Sequence, residues 1–230
     1  MSDRDDPRAL LRSRGRIPVF PLPNVVLFPH VTLPLHIFEP RYRTMTEDAL
    51  HGDRLIAMAQ LKPGWEREYE GAPEVFPIGC AGIIEEEARL PDGRLNIRLR
   101  GLSRVEFREF VQEAPYRVAV VRVLSDLNED GGAEVEEERR RLLGSCASLL
   151  QEMSGRPGHA LAIENDVPLA AVVNSLCQNL SLEPEIKQRL LETGDVVLRC
   201  RDLVSILDRR WREIALLQSA REDSPEGGVH

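Results

Sequence analysis

Lysine is almost missing from this sequence. Of 30 basic residues only Lys62 and Lys187 are lysines, and both stand in settings that exclude familiar chemistry. A phosphate-binding loop needs Gly-Lys-Ser/Thr, so that backbone amides cradle the phosphates while the lysine meets their charge. Lys62 lies between Leu61 and Pro63, and Lys187 between Ile186 and Gln188, so neither follows a glycine. No nucleotide motor of that type is encoded in these residues. A Ser-Lys hydrolase dyad would have to use one of the same two lysines, and neither is near a Gly-rich serine turn. The nucleophile elbow G-x-S-x-G is also absent, and Ser145 falls inside a helical pattern. The five histidines form no HExxH and no Cys/His ligand spacing, which argues against a metal site.

Cysteine is sparse as well. Cys80, Cys146, Cys177 and Cys200 are far apart, with no CxxC pair, and each sits in an apolar setting that suits a reduced core thiol. No run approaches the roughly 20 apolar residues that a membrane helix needs. The first sixteen residues carry five arginines and no apolar core, so they do not read as a secretory signal. A cytoplasmic location is the expectation. With a net charge of −8 and a pI of about 5.3, general affinity for nucleic acid or anionic membrane is not expected.

What the sequence does have is proline in one place. Residues 17–43 hold six prolines among short apolar runs, so no helix can pass through them. Short strands are predicted at Pro18 to Phe20, Val25 to Phe28 and Leu33 to Phe38, cornered at each proline and suited to sheet edges. Such strands fit a barrel or pseudo-barrel. From Pro40, the apolar positions Tyr42, Met45, Ala49 and Leu50 repeat at helical spacing, and Pro40 suits a first turn.

Further on, Arg54 to Leu61 reads as a buried strand and Lys62 to Pro77 as a surface loop carrying Trp65 and Tyr69. Gly79 to Glu87 and Arg94 to Leu102 read as a hairpin turned at Pro91-Asp-Gly93. Arg94, Asn96, Arg98 and Arg100 alternate with Leu95, Ile97 and Leu99, so one face of that arm is buried. The arginine face would serve as an anion patch or, as preferred here, pair with Glu85, Glu86 and Glu87 across the hairpin. Val105 to Phe107 and Tyr116 to Leu124 complete the β part.

The remaining chain reads as helices. One runs from Ala133 to about Met153, a second from Pro168 to Asn179, and a third from Leu182 to Glu192 with Ser181 as N-cap. A fourth runs from Val196 to about Ser219 with Asp195 as N-cap. Cys200, Leu203, Leu207, Trp211, Ile214 and Leu217 form one seam on the last, for core packing or for a partner helix. The expected organisation is α+β: a disordered tail at 1–16, a β-rich domain at 17–124, a linker at 125–132, a helical bundle at 133–220 and a disordered tail at 221–230.

Two runs, Phe20-Pro-Leu-Pro-Asn-Val-Val-Leu-Phe-Pro29 and Leu33-Pro-Leu-His-Ile-Phe-Glu-Pro-Arg-Tyr-Arg43, resemble the signature of the Lon protease N-terminal domain family. Ile78 to Ile83, Asp92 to Ile97, Gly101 to Phe107 and Lys187 to Glu192 agree with it, and the resemblance covers residues 17 to about 217. It implies a PUA-like β pseudo-barrel followed by a helical bundle, in a stand-alone member lacking the ATPase and protease domains. It implies a non-catalytic module that binds unfolded or degron-bearing polypeptides without a cofactor, as adaptor or holdase, alone or with a protease in trans. The cysteine-rich zinc domain of cereblon-type relatives has no counterpart here. RNA binding is the alternative, since PUA-like folds often serve RNA, but no basic stripe with interleaved aromatics supports it.

Physically, proline-kinked strands would leave an unpaired sheet edge open to β-augmentation. Candidate contact residues are Phe20, Phe28, His36, Phe38 and Tyr42 beside the signature, and Trp65 and Tyr69 in the loop; most of the first group also suit a core. His36 and Glu39 invite an acid/base reading. Three residues apart in an extended segment, they face opposite sides, so Glu39 is expected to pair with Arg41 or Arg43 or to cap the helix.

Overall fold

The computed structural model of the chain describes residues 7–68, 71–128, 132–154 and 167–222. They divide into two compact units: Met1–Leu127 with Asn174–Gly194, and Asn128–Val173 with Asp195–His230. In chain order the elements are α1 (Pro7–Arg14), β1 (Arg16–Leu22), β2 (Thr32–Ile37), α2 (Pro40–His51), β3 (Leu55–Gln60) and a 3-10 turn (Trp65–Glu68). There follow β4 (Ile78–Arg89), β5 (Leu95–Gln112), β6 (Arg117–Val123), α3 (Ala133–Ser154), α4 (Leu169–Asn179), α5 (Pro184–Glu192) and α6 (Val196–Glu222).

The first unit is built on one six-stranded sheet in the order β2-β5-β4-β3-β1-β6, and a further β5–β6 pairing closes five of the strands into a ring. Only β1 and β3 run parallel. The 18-residue β5 makes this possible. Its first half pairs with β2 and its second half with β6, while β4 lies along its other side. Inside the ring, Ile17, Val19, Leu55, Ala57, Ala81, Leu102, Val105 and Ala119 form the core.

Proline placement explains much of this, in a way that differs from the expectation of edge strands throughout. β1 is interior, yet Arg16 to Pro18 pair with β6 and Phe20 to Leu22 with β3, and Val19 alone is registered with both. Pro18 and Pro21 each therefore have one side on which no ladder donor is required. Residues Val25 to Phe28 are not a strand. They are a buried irregular segment held by side chains of α4: the Phe28 amide donates to Gln178 Oε1 at 3.3 Å, and Asn174 Nδ2 donates to the Pro29 carbonyl at 3.2 Å. The segment lies so close to the sheet that a Cβ on Gly101 would stand 2.1 Å from the Phe28 carbonyl oxygen.

The N-terminal sixteen residues are not a tail throughout. α1 occupies Pro7–Arg14, and its Leu11 is buried in the β core. The expected linker is also partly pinned. Arg104 forms an ion pair with Asp126, both nearly fully buried at 4% and 6% exposure, and the Leu127 amide donates to the Gly194 carbonyl at 2.9 Å. Arg104 also donates to the carbonyls of Ser125, Leu191 and Glu192, so this one guanidinium ties β5 to the end of α5. As a result α5 and the last turns of α4 belong to the unit of the sheet, rather than to a separate bundle beginning at residue 133.

The third predicted helix starts at Pro184, after Glu183, rather than after Ser181. A proline is at home in a first turn and costly inside a helix, so the chain begins there. In the second unit α3 packs with α6. Asp195 caps α6 as expected, its Oδ1 accepting from the amides of Val197 at 2.9 Å and Leu198 at 3.1 Å.

Candidate functional site

The candidate aromatic residues separate by burial. Phe20, Phe28 and Tyr42 are core: Phe28 is fully buried, and the Phe20 and Tyr42 rings meet at 4.4 Å between centroids. Arg41 covers the Tyr42 ring at 4.6 Å. A small cavity of about 20 Å³, bounded in part by Pro21, Tyr42, Leu61 and Pro115, has room for about one water. These three aromatics are therefore part of the core rather than of an exposed surface. Trp65 lies half-buried in the 3-10 turn between β3 and β4, and Tyr69 lies outside the described residues.

His36 and Phe38 behave differently. Both are exposed, Phe38 at 59%, and their rings stack at 6.1 Å with 25° between planes. His36 Nδ1 is 2.7 Å from Asn96 Oδ1, and Nε2 is 3.4 Å from Arg94 Nη1, so the ring is oriented from β5. Glu39 takes no part: its Oε2 accepts from Arg41 Nε at 3.0 Å, and its carbonyl accepts from the Tyr42 and Arg43 amides at the start of α2. No acid/base pair is formed by His36 and Glu39.

The strand that carries His36 is the edge of the sheet, and among the described residues no strand pairs with its outer side. The direction of its backbone groups follows from one bond. The Val31 carbonyl accepts from the Gly101 amide at 2.8 Å, so it points at β5, and the register continues unshifted from Thr32↔Arg100 to Ile37↔Leu95. Alternate residues of a strand point their N–H and C=O to opposite sides. Leu33, Leu35 and Ile37 therefore bond to β5, whereas Thr32, Pro34 and His36 present their backbone groups outward. Three carbonyls and two amides face out, because Pro34 has no N–H.

Side chains follow a second alternation. Leu33, Leu35 and Ile37 share a face with the buried Leu99, Ile97 and Leu95, but Leu33 and Leu35 remain only half-buried at the edge. Thr32, Pro34 and His36 lie on the other face with Arg100, Arg98 and Asn96. Five carboxylates of this wing have arginine partners. Glu85 pairs with Arg100, Glu86 with Arg98 at 3.7 Å, Glu87 with Arg54, Asp92 with Arg94 at 2.5 Å, and Glu47 with Arg89. The arginine face is thus a paired surface, as the hairpin pattern suggested. Beyond Phe38, a cleft of about 400 Å³ is lined by Pro40, Arg43, Thr44 and Glu47.

In the second unit a cleft of about 430 Å³ lies between α3 and α6, with Gly144, Ser145, Val204 and Trp211 on its walls and Ser145 Oγ donating to Asp208 Oδ1 at 2.8 Å. The α6 seam is buried at Cys200, Leu203 and Leu207 and emerges at Trp211, which is 39% exposed. The four cysteines are buried and form no disulfide. Burial pushes the Cys146 thiol up to about 11 and the Cys200 thiol up to about 12, which suits packing rather than nucleophilic work. Among the described residues no group of three or more metal-ligating side chains is brought together, and no helix is long and apolar enough to cross a membrane.

Residues 16–209 match the family of the ATP-dependent protease La (LON) substrate-binding domain, and the chain belongs to that family. The Lon protease of Parabacteroides distasonis is 29% identical over 230 residues, covering 97% of this chain and 27% of its own length. Lon protease 1 of Herpetosiphon aurantiacus is 31% identical over 197 residues, covering 80% of this chain and 24% of its own. The chain thus spans about a quarter of the length of the curated relatives it matches. Among solved structures, the N-terminal domain of a Mycobacterium avium complex Lon protease superposes with a TM-score of 0.64 at 16% identity, covering 84% of this chain and 98% of that one. A Lon N-terminal domain protein from Xanthomonas campestris superposes with a TM-score of 0.58 at 23% identity, covering 83% and 97%. These likenesses bear out the α+β fold expected from the proline-rich signature.

His36 and Phe38, both candidates from the sequence, lie at this edge together with Thr32, Leu33, Pro34 and Leu35, whose placement there depends on which strand ends the sheet. The signal available was Pro34 itself, since a proline within an alternating strand marks an edge.

Proposed function

We propose that this chain is a non-catalytic polypeptide-binding module that recognises unfolded or degron-bearing segments, as an adaptor or holdase in protein quality control. The observation that carries this reading is the exposed His36–Phe38 pair beside the open outer edge of β2, in a chain of the LON substrate-binding family. Exposed aromatics beside unpaired backbone groups offer both an apolar contact and hydrogen bonds to a chain that has not folded. A match confined to the substrate-binding domain supports a role without catalysis, and buried cysteines without a disulfide suit a reducing cytoplasm.

The test is fluorescence anisotropy of a labelled unstructured apolar peptide titrated with the full chain without nucleotide, with a single-stranded RNA oligomer in parallel. Saturable peptide binding with no RNA response is expected. RNA binding alone would replace this reading with a PUA-like RNA-binding one.

A further inference from the structure

We propose that the outer edge of β2 takes an uncharged, extended polypeptide segment, with apolar side chains at alternate positions, as an added strand of the sheet. This rests on the polypeptide-binding reading above and names both the surface and the kind of segment it holds.

Three observations specify the occupant. The outward backbone groups are three carbonyls, from Thr32, Pro34 and His36, and two amides, from Thr32 and His36. An edge richer in acceptors than in donors is best met by a strand that supplies an amide at every alternate residue. A second copy of β2 would bring the same missing donor at its own Pro34 and leave a carbonyl unmet, so an ordinary segment without proline fits better than self-pairing.

The half-buried Leu33 and Leu35 lie at the margin of the row that Leu95, Ile97 and Leu99 continue inward. Alternate side chains of an added strand would extend that row and cover it, while those between would lie beside Pro34 and the His36–Phe38 stack. The pairing of Glu85, Glu86, Glu87 and Asp92 with arginines leaves none of these four carboxylates calling for a charged ligand. Burying a charge beside those apolar side chains would carry a desolvation cost with no partner to offset it. The segment described is what an unfolded protein exposes when an amphipathic strand has not found its sheet.

The alternation supplies the test. Amide hydrogen exchange is followed by NMR in the full chain, with and without an uncharged nine-residue peptide of alternating valine and threonine, whose binding is monitored separately by anisotropy. Without peptide, Leu33, Leu35 and Ile37 are protected by β5, while the Thr32 and His36 amides exchange freely. With saturating peptide, Thr32 and His36 are expected to slow at least tenfold while the other three hardly change. A companion variant, Thr32→Pro, deletes one outward amide without removing a bond to β5. It should weaken peptide binding at least fivefold while the Leu33, Leu35 and Ile37 amides keep their protection, which shows that the pairing with β5 is intact.

Saturable binding that leaves the Thr32 and His36 amides unprotected, or that Thr32→Pro does not weaken, overturns the β2 edge as the site while leaving the module's polypeptide binding intact. Absence of binding by any peptide overturns both.

Discussion

At the scale of single residues, charge placement sets two expectations. Arg104 and Asp126 form a buried pair whose remaining donors are met by backbone carbonyls. Removing one member of such a pair strands the other charge in the interior, at a cost of about 3–5 kcal/mol. Asp126→Asn should therefore lower urea stability by about that amount, whereas the double substitution Arg104→Met with Asp126→Leu should recover much of it. Equal losses in both would contradict the electrostatic account.

His30 sets the second. It sits at a left-handed φ of 67°, and burial, followed by the nearby Arg8 guanidinium, holds its imidazole below the usual histidine range. The unfolded chain then binds a proton more readily than the folded one as pH falls below the ordinary histidine value of about 6.5, so protonation favours unfolding. The contribution of His30 is present above the unfolded-state value and is lost as pH falls below it. His30→Asn keeps a residue that tolerates left-handed backbone and should flatten the fall in stability between pH 7 and pH 5, measured by denaturant melts. An unchanged pH slope would remove His30 from the account.

At the scale of elements, a cap can be tested in isolation. Asp195→Ala deprives the first turn of α6 of its acceptor and should cost about 1 kcal/mol, read from the denaturation midpoint. This cap was legible in the sequence because it depends only on neighbours in the chain. So were the hairpin of β4 and β5, with its alternating leucines and arginines, and the helix beginning at Pro40.

Three features were not legible, for a common reason. Val25 to Phe28 has the composition of a strand, but its backbone is met by Gln178 and Asn174, some 150 residues away. β1 carries two prolines and is nevertheless interior, because its two halves pair with different neighbours. Phe20, Phe28 and Tyr42 share the signature with Phe38, yet of these four only Phe38 is exposed. In each case the outcome depends on long-range pairing that local pattern does not encode.

At the scale of the whole molecule, the chain carries the substrate-binding domain of its family and about a quarter of the length of its curated relatives. Without a Gly-Lys-Ser/Thr loop or a lysine placed for a hydrolytic dyad, the purified chain should hydrolyse neither ATP nor casein. Phosphate release and casein fluorescence assays check this, and ATP-dependent casein degradation by this chain alone would overturn the non-catalytic reading.

An unfolded segment held as proposed would lie on the wing formed by β2 and the first half of β5. Photo-crosslinking decides it most directly, using an uncharged apolar peptide carrying a benzophenone side chain and mass-spectrometric mapping of the adducts. Adducts concentrated at residues 32–38 and 94–100, and suppressed by excess unlabelled peptide, are the predicted result. Adducts concentrated in the loop around Trp65 or in the cleft beside Trp211, with none on β2, would contradict it.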